Sequence, residues 1–422
     1  MPGPAAAGAA GEPVRRLRGV RFGDFRLERY FAEWEFSAKI LLGSSDPESM
    51  RLAELLALAD EDGRRRWDEL WLGYTESAGL PALREAIAGQ FAGCEPADVL
   101  VFSAPEEAIF HVAAAALEPG DHMVGITPAY QSSYEIPRSV GAEITLVPLR
   151  EDRGWSLDTD ELAAAVTART RLIYINFPHN PTGAVLSAAA QRRVAELAGS
   201  CGAYLLSDEV YRGLEFDPAD RLPAAAGLHP RAISLGGLSK AYGLPGVRLG
   251  WTVCRDGGLN RRMQAAKDFT TICAPAPSEV LALIAVRAAD RLIGRALAGI
   301  KRNLGLAEEF VRRRADEVRW GRQRRLPRAA DRHAGDRVLR AAGPGARRPA
   351  GAGRHVRGRD QSLQDRPGQG QPARGARRAG GLHERAGRGA RIAVPALSCS
   401  SPGLARPPAG ARGRGPGRCW AG

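Results

Sequence analysis

Lysine is scarce in this chain: Lys39, Lys240, Lys267 and Lys301 stand against 56 arginines. A bias this strong points to a GC-rich gene, in which a retained lysine is a candidate for work that arginine cannot do. A primary amine forms a Schiff base readily and a guanidinium does not. Lys240 lies in the glycine-rich turn Ser234-Leu-Gly-Gly-Leu-Ser-Lys-Ala-Tyr-Gly-Leu-Pro-Gly-Val-Arg-Leu-Gly-Trp251, directly after an apolar run, with Arg248 eight residues on. One lysine and one arginine in such a loop suggest a covalently held aldehyde cofactor with an anionic group beside it. A solvated surface lysine is the plainer alternative. Two further clusters precede it. In Asn176-Phe-Pro-His-Asn-Pro-Thr-Gly183, Pro181 biases Asn180 out of the helical region, so that its amide can address a ligand. In Ser207-Asp-Glu-Val-Tyr211, Asp208 falls at the carboxyl end of an apolar run, where open α/β sheets bind ligands. An acid there can pair with a protonated ring nitrogen, and the Tyr211 hydroxyl can reach the same ligand. A plain turn, and a capping Asp beside a packed Tyr, are the corresponding alternatives.

The elements around these clusters alternate. Apolar runs at 99–102, 122–126, 144–148, 172–176, 204–207, 231–235 and 249–253 read as strands. Helical patterns at 81–91, 106–117, 132–140, 159–166 and 187–200 separate several of them, with Pro137 disturbing the third. Alternation at this spacing predicts an α/β fold with a largely parallel sheet covered by helices. Leu27–Ile40 is compatible with a short helix. Asp46 followed by Pro47 reads as an N-cap opening a helix over 47–59. Residues 278–317 read as one long helix.

The three clusters lie in order on successive strand ends. Together they make residues 33–317 resemble the class I/II aminotransferases, the fold-type-I pyridoxal-phosphate enzymes. The resemblance rests on the Asn-Pro-Thr-Gly, Asp-Glu-Val-Tyr and Ser-Lys…Arg motifs at their separations. It implies an α/β/α large domain over 70–290, an N-terminal small-domain segment over 33–69 after a flexible arm (1–32), and a connecting helix over 291–320. It implies pyridoxal 5'-phosphate bound to Lys240, the base that moves the substrate proton. Asp208 would keep the pyridine nitrogen protonated so that the ring is an electron sink. Asn180 and Tyr211 would bond the phenolic oxygen, and Tyr130, in Thr127-Pro-Ala-Tyr, would stack on the ring. Ser239 and Arg248, with Ser103 and Ala104, would hold the phosphate. Tyr74, in Gly73-Tyr-Thr-Glu-Ser-Ala-Gly-Leu-Pro-Ala-Leu-Arg84, would reach the phosphate of a second subunit, which implies a homodimer with shared active sites. Two positions depart from the family pattern. Pro105 offers no N–H where a phosphate is cradled, and Gly237 stands where many members carry Ser or Thr.

The implied reaction is ping-pong transfer of an amino group between an amino acid and a 2-oxo acid. The alternatives are another pyridoxal-phosphate reaction (elimination, cyclisation or oxidation) and a non-catalytic truncated homologue. The substrate side chain is not legible. Six cysteines show neither metal-like spacing nor a disulfide framework, so no metal is expected. No run of 18 apolar residues or leader-like pattern is found, and a cytoplasmic location is expected.

The last hundred residues differ. Residues 321–422 hold 23 Arg, no Lys and five acids, a net charge of +18, while residues 1–320 hold 37 basic and 42 acidic residues, a net charge of −5. The tail's only aromatic is Trp420, so no stacking platform interleaves with the arginines and no nucleic-acid role is expected. Its composition predicts disorder. Yet Leu363-Gln-Asp-Arg-Pro-Gly-Gln-Gly-Gln-Pro-Ala-Arg-Gly-Ala376 has a telling back-translation. With codons chosen to fit, and read one base later, it becomes Phe-Arg-Ile-Gly-Leu-Gly-Lys-Ala-Asn-Leu-Pro-Glu-Ala. That resembles the family's Arg motif for the substrate carboxylate. A frameshift within residues 318–330 is therefore expected. Sequencing the genomic locus should find a second frame that restores a small domain through to a stop codon. A locus encoding only this tail would refute the frameshift.

Overall fold

A computed structural model describes residues 22–41 and 43–314. The arginine-rich tail and its alternate-frame stretch lie outside them. The helices are α1 (Arg26–Trp34), α2 (Leu52–Leu56), α3 (Glu61–Asp68), α4 (Pro81–Ala88), α5 (Pro105–Ala116), α6 (Ser132–Ser139), α7 (Thr159–Ala165), α8 (Ala188–Cys201), α9 (Gly257–Lys267), α10 (Ala276–Arg287) and α11 (Ala289–Arg313). The strands are β1 (Val99–Phe102), β2 (His122–Thr127), β3 (Glu143–Pro148), β4 (Thr170–Asn176), β5 (Tyr204–Asp208), β6 (Ala232–Gly237) and β7 (Gly250–Cys254).

The strands form one sheet in the order β1-β7-β6-β5-β4-β2-β3. The pairings β2–β3, β2–β4, β4–β5 and β5–β6 are parallel, while β7 runs antiparallel to both β1 and β6. The expected largely parallel α/β sheet is therefore present, with one reversed strand. Strands β1, β5, β6 and β7 are buried at every position, as expected where helices cover both faces. Only the edge strand β3 is mostly accessible.

Successive residues of each strand point to opposite faces. On one face Leu100, Phe102, Tyr174, Leu206 and Leu235 pack with Ala108 and Val112 of α5 and Met263 of α9. On the other, Ile173, Ile175 and Leu205 pack with Leu162 of α7 and Val194 of α8. There too, Val99, Val101 and Val253 pack with Leu83 and Ile87 of α4 and Leu283 of α10.

Four expectations need correction. The segment 47–51 is not helical, and the helix expected over 47–59 shrinks to α2; Asp46 makes a tertiary ion pair instead of a cap. The helix expected over 278–317 breaks at Ala288, whose φ of −96° and ψ of 18° separate α10 from α11. Helices α3 and α9 were not anticipated, although Asp60 and Asp256 cap them through backbone N–H groups at 2.7 Å and at 2.8 and 3.0 Å. Part of the expected N-terminal arm is ordered: α1 begins at Arg26, and the Arg26 N–H donates to Gln131 Oε1 at 3.0 Å.

The two departures from the family pattern meet in space. A Cβ on Gly237 would lie 2.5 Å from Pro105 Cγ, and one on Gly250 would lie 2.5 Å from the Pro105 nitrogen. The proline ring thus fills the space a side chain at 237 would need, and Pro105 and Gly237 are one packing solution. Gly237→Ala should destabilise the chain by about 1–3 kcal/mol through overpacking. Combining it with Pro105→Ala should recover part of that loss in a double-mutant cycle read by urea unfolding. Additive effects would show that the two positions do not share the space.

Candidate active site

The parallel register sets the site. Asn176 ends β4 directly opposite Asp208 at the end of β5, and Asp208 in turn faces Leu235 on β6. Asn176 ties the strand ends together: its Nδ2 donates to the Asp208 carbonyl at 3.0 Å, and its Oδ1 accepts from the Asn180 N–H at 3.1 Å. His179 fixes the turn between them to the next loop. Its Nε2 lies 2.9 Å from the Pro128 carbonyl and its Nδ1 lies 2.8 Å from Thr182 Oγ1. With Nε2 as the donor, Nδ1 accepts from Thr182, and burial pushes the imidazole down to about 4. The ring is therefore neutral and structural.

Asp208 is buried, 8% exposed. Tyr174 Oη donates to its Oδ2 at 3.0 Å, and the Val210 N–H donates to its Oδ1 at 3.3 Å. Burial pushes its carboxyl up to about 6, against the opposing pull of those two donors and of Lys240. Tyr211 is equally buried, and its hydroxyl donates to Ser45 Oγ at 3.2 Å. The Lys240 amine sits in the same space: its Nζ lies 3.0 Å from Ser45 Oγ and 2.5 Å from Asp46 Oδ1. Lys240, Asp208 and Tyr211 are thus brought together as the sequence leads one to expect, with Asn180 held at the same strand ends.

The remaining residues are spread around this centre. Tyr130 packs its ring against Phe25 at a centroid distance of 5.1 Å, and its hydroxyl donates to Glu28 Oε1 at 2.9 Å. Arg248 adopts a left-handed conformation after the short turn Pro245–Val247, is exposed, and donates to the Pro245 carbonyl at 3.1 Å. Ser239 directly precedes Lys240. Ala104 caps α5 without a side-chain bond, and the Ser103 N–H donates to Glu107 Oε2 at 2.6 Å. Tyr74 is 87% exposed and far less enclosed than the other residues named.

The acids at the start of α5 have opposite fates. Glu107 is held down to about 2: against the cost of burial, His111, Thr271 and the Ser103 N–H all bond to it. Burial pushes Glu106 up to about 7; the Ser132 hydroxyl opposes that, and Asp208 and Glu28 add to it.

Sequence reasoning missed Asn176 as a tie, Tyr174 as a donor to Asp208, Glu28 on Tyr130, and Ser45 with Asp46 on Lys240. The Asn176 position lay inside a motif already singled out. The others had no local signal, because each partner is distant in the chain.

Comparison with known proteins agrees with this geometry. The family model Aminotransferase class I and II matches residues 37–310. Capreomycidine synthase of Streptomyces vinaceus is 34% identical over 304 residues, 72% of this chain and 75% of that protein. Several curated aminotransferases match over about half of their own length. A pyridoxal-phosphate-dependent aminotransferase from Streptococcus suis superposes with a TM-score of 0.67 at 30% identity, covering 72% of this chain and 80% of that one. A structure described as the PLP-dependent cyclase OrfR superposes with a TM-score of 0.64 at 30% identity, over 75% of this chain and 80% of that one. The chain belongs to the class I and II aminotransferases, fold-type-I enzymes whose cofactor is pyridoxal phosphate.

The burial of Asp208 has a consequence for stability. Its folded pKa of about 6 lies above the ordinary carboxylate value of 3.8. A raised carboxyl pKa contributes stability at low pH that is lost as pH rises through about 6. In the cofactor-free chain, Asp208→Asn should therefore be nearly neutral at pH 4. At pH 7.5 it should be stabilising by about 3 kcal/mol relative to wild type, each pKa unit being worth about 1.4 kcal/mol. Urea unfolding of both proteins at the two pH values checks this. A variant less stable than wild type at pH 7.5 would show that the carboxylate is adequately paired without a ligand.

Proposed function

We propose that this class I and II aminotransferase moves an amino group between an amino acid and a 2-oxo acid, with Lys240 as the residue that holds pyridoxal phosphate. The observation that carries this reading is the placement of the Lys240 amine, Asp208 and Tyr211 in one space at the ends of β5 and β6.

The residues present fit the cofactor. Asp208 is a carboxyl whose pKa is raised by burial, and a protonated ring nitrogen would offer it a partner of opposite charge. Asn180 and Tyr211 flank the same space and would bond the ring oxygen, while Tyr130 would lie against the ring face. Ser239, Arg248 and the free N–H groups at the start of α5 would hold the phosphate. Pro105 removes one N–H from that cradle. Glu107 accepts from the Ser103 N–H and the Thr271 hydroxyl, so that cradle N–H is already taken, while Glu106, pushed up to about 7 by burial, can be protonated near neutral pH and need not oppose a phosphate dianion. When bound, the cofactor supplies an electron sink for the charge left at the substrate Cα. Lys240, once free, would take the proton from the substrate Cα and return it to the carbon that had carried the cofactor's aldehyde. Asp208 would keep the ring nitrogen protonated, and Tyr211 would orient the ring through its hydroxyl. The residue that grips the substrate carboxylate belongs to the alternate-frame stretch, outside the described residues.

A homodimer is part of the proposal. Trp71, Leu72, Tyr74, Phe269 and Ile272 are exposed, and Ser77 bonds to Ile272 O at 2.6 Å and Asp268 Oδ1 at 2.9 Å. These bonds place the two apolar segments side by side, a patch suited to a second copy. Tyr74 on that patch would then face a neighbouring site. Among the described residues no helix is long and apolar enough to cross a membrane.

The alternative reading is another pyridoxal-phosphate reaction on the same scaffold, such as a cyclisation. Capreomycidine synthase and the OrfR cyclase both align over about three quarters of this chain. A cyclisation on the same lysine and aspartate would return the cofactor as pyridoxal phosphate, whereas transamination leaves pyridoxamine phosphate after the first half-reaction.

The test is direct. Incubation with pyridoxal phosphate followed by borohydride should fix the cofactor on Lys240, seen by peptide mass, and Lys240→Ala should abolish it. In a separate sample, amino-acid donors added to the unreduced holoenzyme should yield 2-oxo acids and pyridoxamine phosphate. Cofactor capture without either product would favour the second reading. No capture would leave a non-catalytic homologue.

A further inference from the structure

Lys240 reaches an acid that the transamination reading leaves without a role. The segment 43–49 has no regular structure and delivers Ser45 and Asp46 to the lysine, with Ser44 bonded to Asp46. Asp46 Oδ1 is 2.5 Å from Lys240 Nζ. The other carboxylate oxygen accepts from Ser44 Oγ at 3.2 Å, and the Asp46 N–H donates to the same hydroxyl at 3.3 Å. Both oxygens are therefore oriented, and buried Pro47 follows directly. We propose that Asp46 is the counter-ion and positioning residue of Lys240. It holds the amine as an ammonium beside Asp208 and Tyr211, so the amine must give up both its proton and Asp46 before it can bond to an aldehyde.

The surroundings favour Asp46 over other partners. From the segment 43–49, Asp46 and Ser45 face Nζ; from β5 and the turn after it come Asp208 and Tyr211. Asp208 already accepts from Tyr174 and the Val210 N–H, and the Tyr211 hydroxyl is spent on Ser45. Among the described residues Asp46 alone offers the ammonium a direct carboxylate contact. Both side chains are only about a third exposed, 28% and 31%, so the pair is screened less than a surface pair. Burial by itself would lower the lysine; Tyr211, Asp46 and Asp208 outweigh it and hold the amine above its ordinary value.

An ammonium is not a nucleophile. Capture of an aldehyde requires the ammonium proton to pass to solvent, the nitrogen to bond the carbonyl carbon, and the carbonyl oxygen to leave as water. Each pKa unit contributed by Asp46 lowers the free-amine fraction about tenfold. Asp46 thus trades the rate of capture for an amine fixed at the right place.

The inference rests on Lys240 being the cofactor lysine, but its first test needs no cofactor. The full chain without cofactor is labelled with an amine-selective reagent from pH 6 to 10, and Lys240 and the exposed Lys39 are followed by peptide mass. Asp46→Asn should raise the Lys240 rate about tenfold near pH 8, moving its midpoint down by about one unit. Asp46→Glu should return it towards wild type, and Ser44→Ala, which only loosens the carboxylate, should raise it less. Lys39 should be unchanged throughout. Equal Lys240 profiles in wild type, Asp46→Asn and Ser44→Ala, with Lys39 constant, would overturn the proposal. Borohydride trapping with pyridoxal phosphate near pH 7 should in turn be faster for Asp46→Asn. If the wild type traps no cofactor at all, the proposed function fails, while the labelling comparison still decides the role of Asp46.

Discussion

An ionised carboxylate buried at the end of a parallel sheet is costly unless it is both hydrogen-bonded and paired. Asp208 is in that position, and much of the site is arranged around it. Tyr174 on the neighbouring strand and the Val210 N–H supply hydrogen bonds but no charge. The parallel register sets Asn176 directly opposite, and its side chain closes the gap between the two strand ends. Among the described residues the cation acting on Asp208 is Lys240, which is itself paired with Asp46. The carboxyl is left partly unpaid for, and a protonated ring nitrogen is the kind of group that completes it. The site is thus strained electrostatically towards its cofactor, and β4, β5 and β6 hold that strain in place.

The other pole of the site is solved by packing rather than by charge. Pro105 opens α5 and gives up an N–H, yet its ring fills the space left by the absence of side chains at Gly237 and Gly250. A proline at the first helical position is intrinsically well placed. What reads in the sequence as two losses from a phosphate cradle is, in space, one compact joint between β6, β7 and α5. The adjacent acids follow the same economy of partners. Glu107 finds the Ser103 N–H, Thr271 and His111 and stays ionised at a helix N-terminus, where a negative charge is favoured. Glu106 finds little beyond Ser132 and is pushed towards neutrality.

Much of this was legible in the sequence. Six of the seven strands are largely buried and announce themselves as short apolar runs, because burial on both faces leaves no polar alternation to confuse; the accessible edge strand β3 was readable from Ile144, Leu146 and Val147. The residues at their carboxyl ends, Asn180, Asp208, Tyr211 and Lys240, were legible for a related reason: strand ends in such sheets collect at one edge. Helix boundaries depended on local caps, and two helices with good aspartate caps, α3 and α9, still escaped because their sequences are rich in Arg and Gly. The reversal of β7 was not legible, since a run such as Gly-Trp-Thr-Val-Cys carries no sign of direction. The break at Ala288 left no trace either, since alanine is the residue least expected to end a helix.

Asp46 shows why the remainder stayed hidden. An aspartate before a proline and an apolar stretch is a strong local signal for a helix start, and that signal weighs only neighbours in the chain. Here the carboxylate finds an ammonium 194 residues away, a stronger partner than the backbone N–H groups a cap would satisfy. Once one oxygen is taken by Lys240 and the other by Ser44, little is left to nucleate a helix at Pro47, and the chain stays extended until Arg51, whose own N–H bonds Glu54 as α2 begins. The helix is displaced by about one turn, and Ser45 and Asp46, just before the displaced stretch, are the residues on the lysine. A tertiary ion pair of this kind cannot be read from composition or periodicity, because the same residue satisfies the local rule until its distant partner is placed beside it.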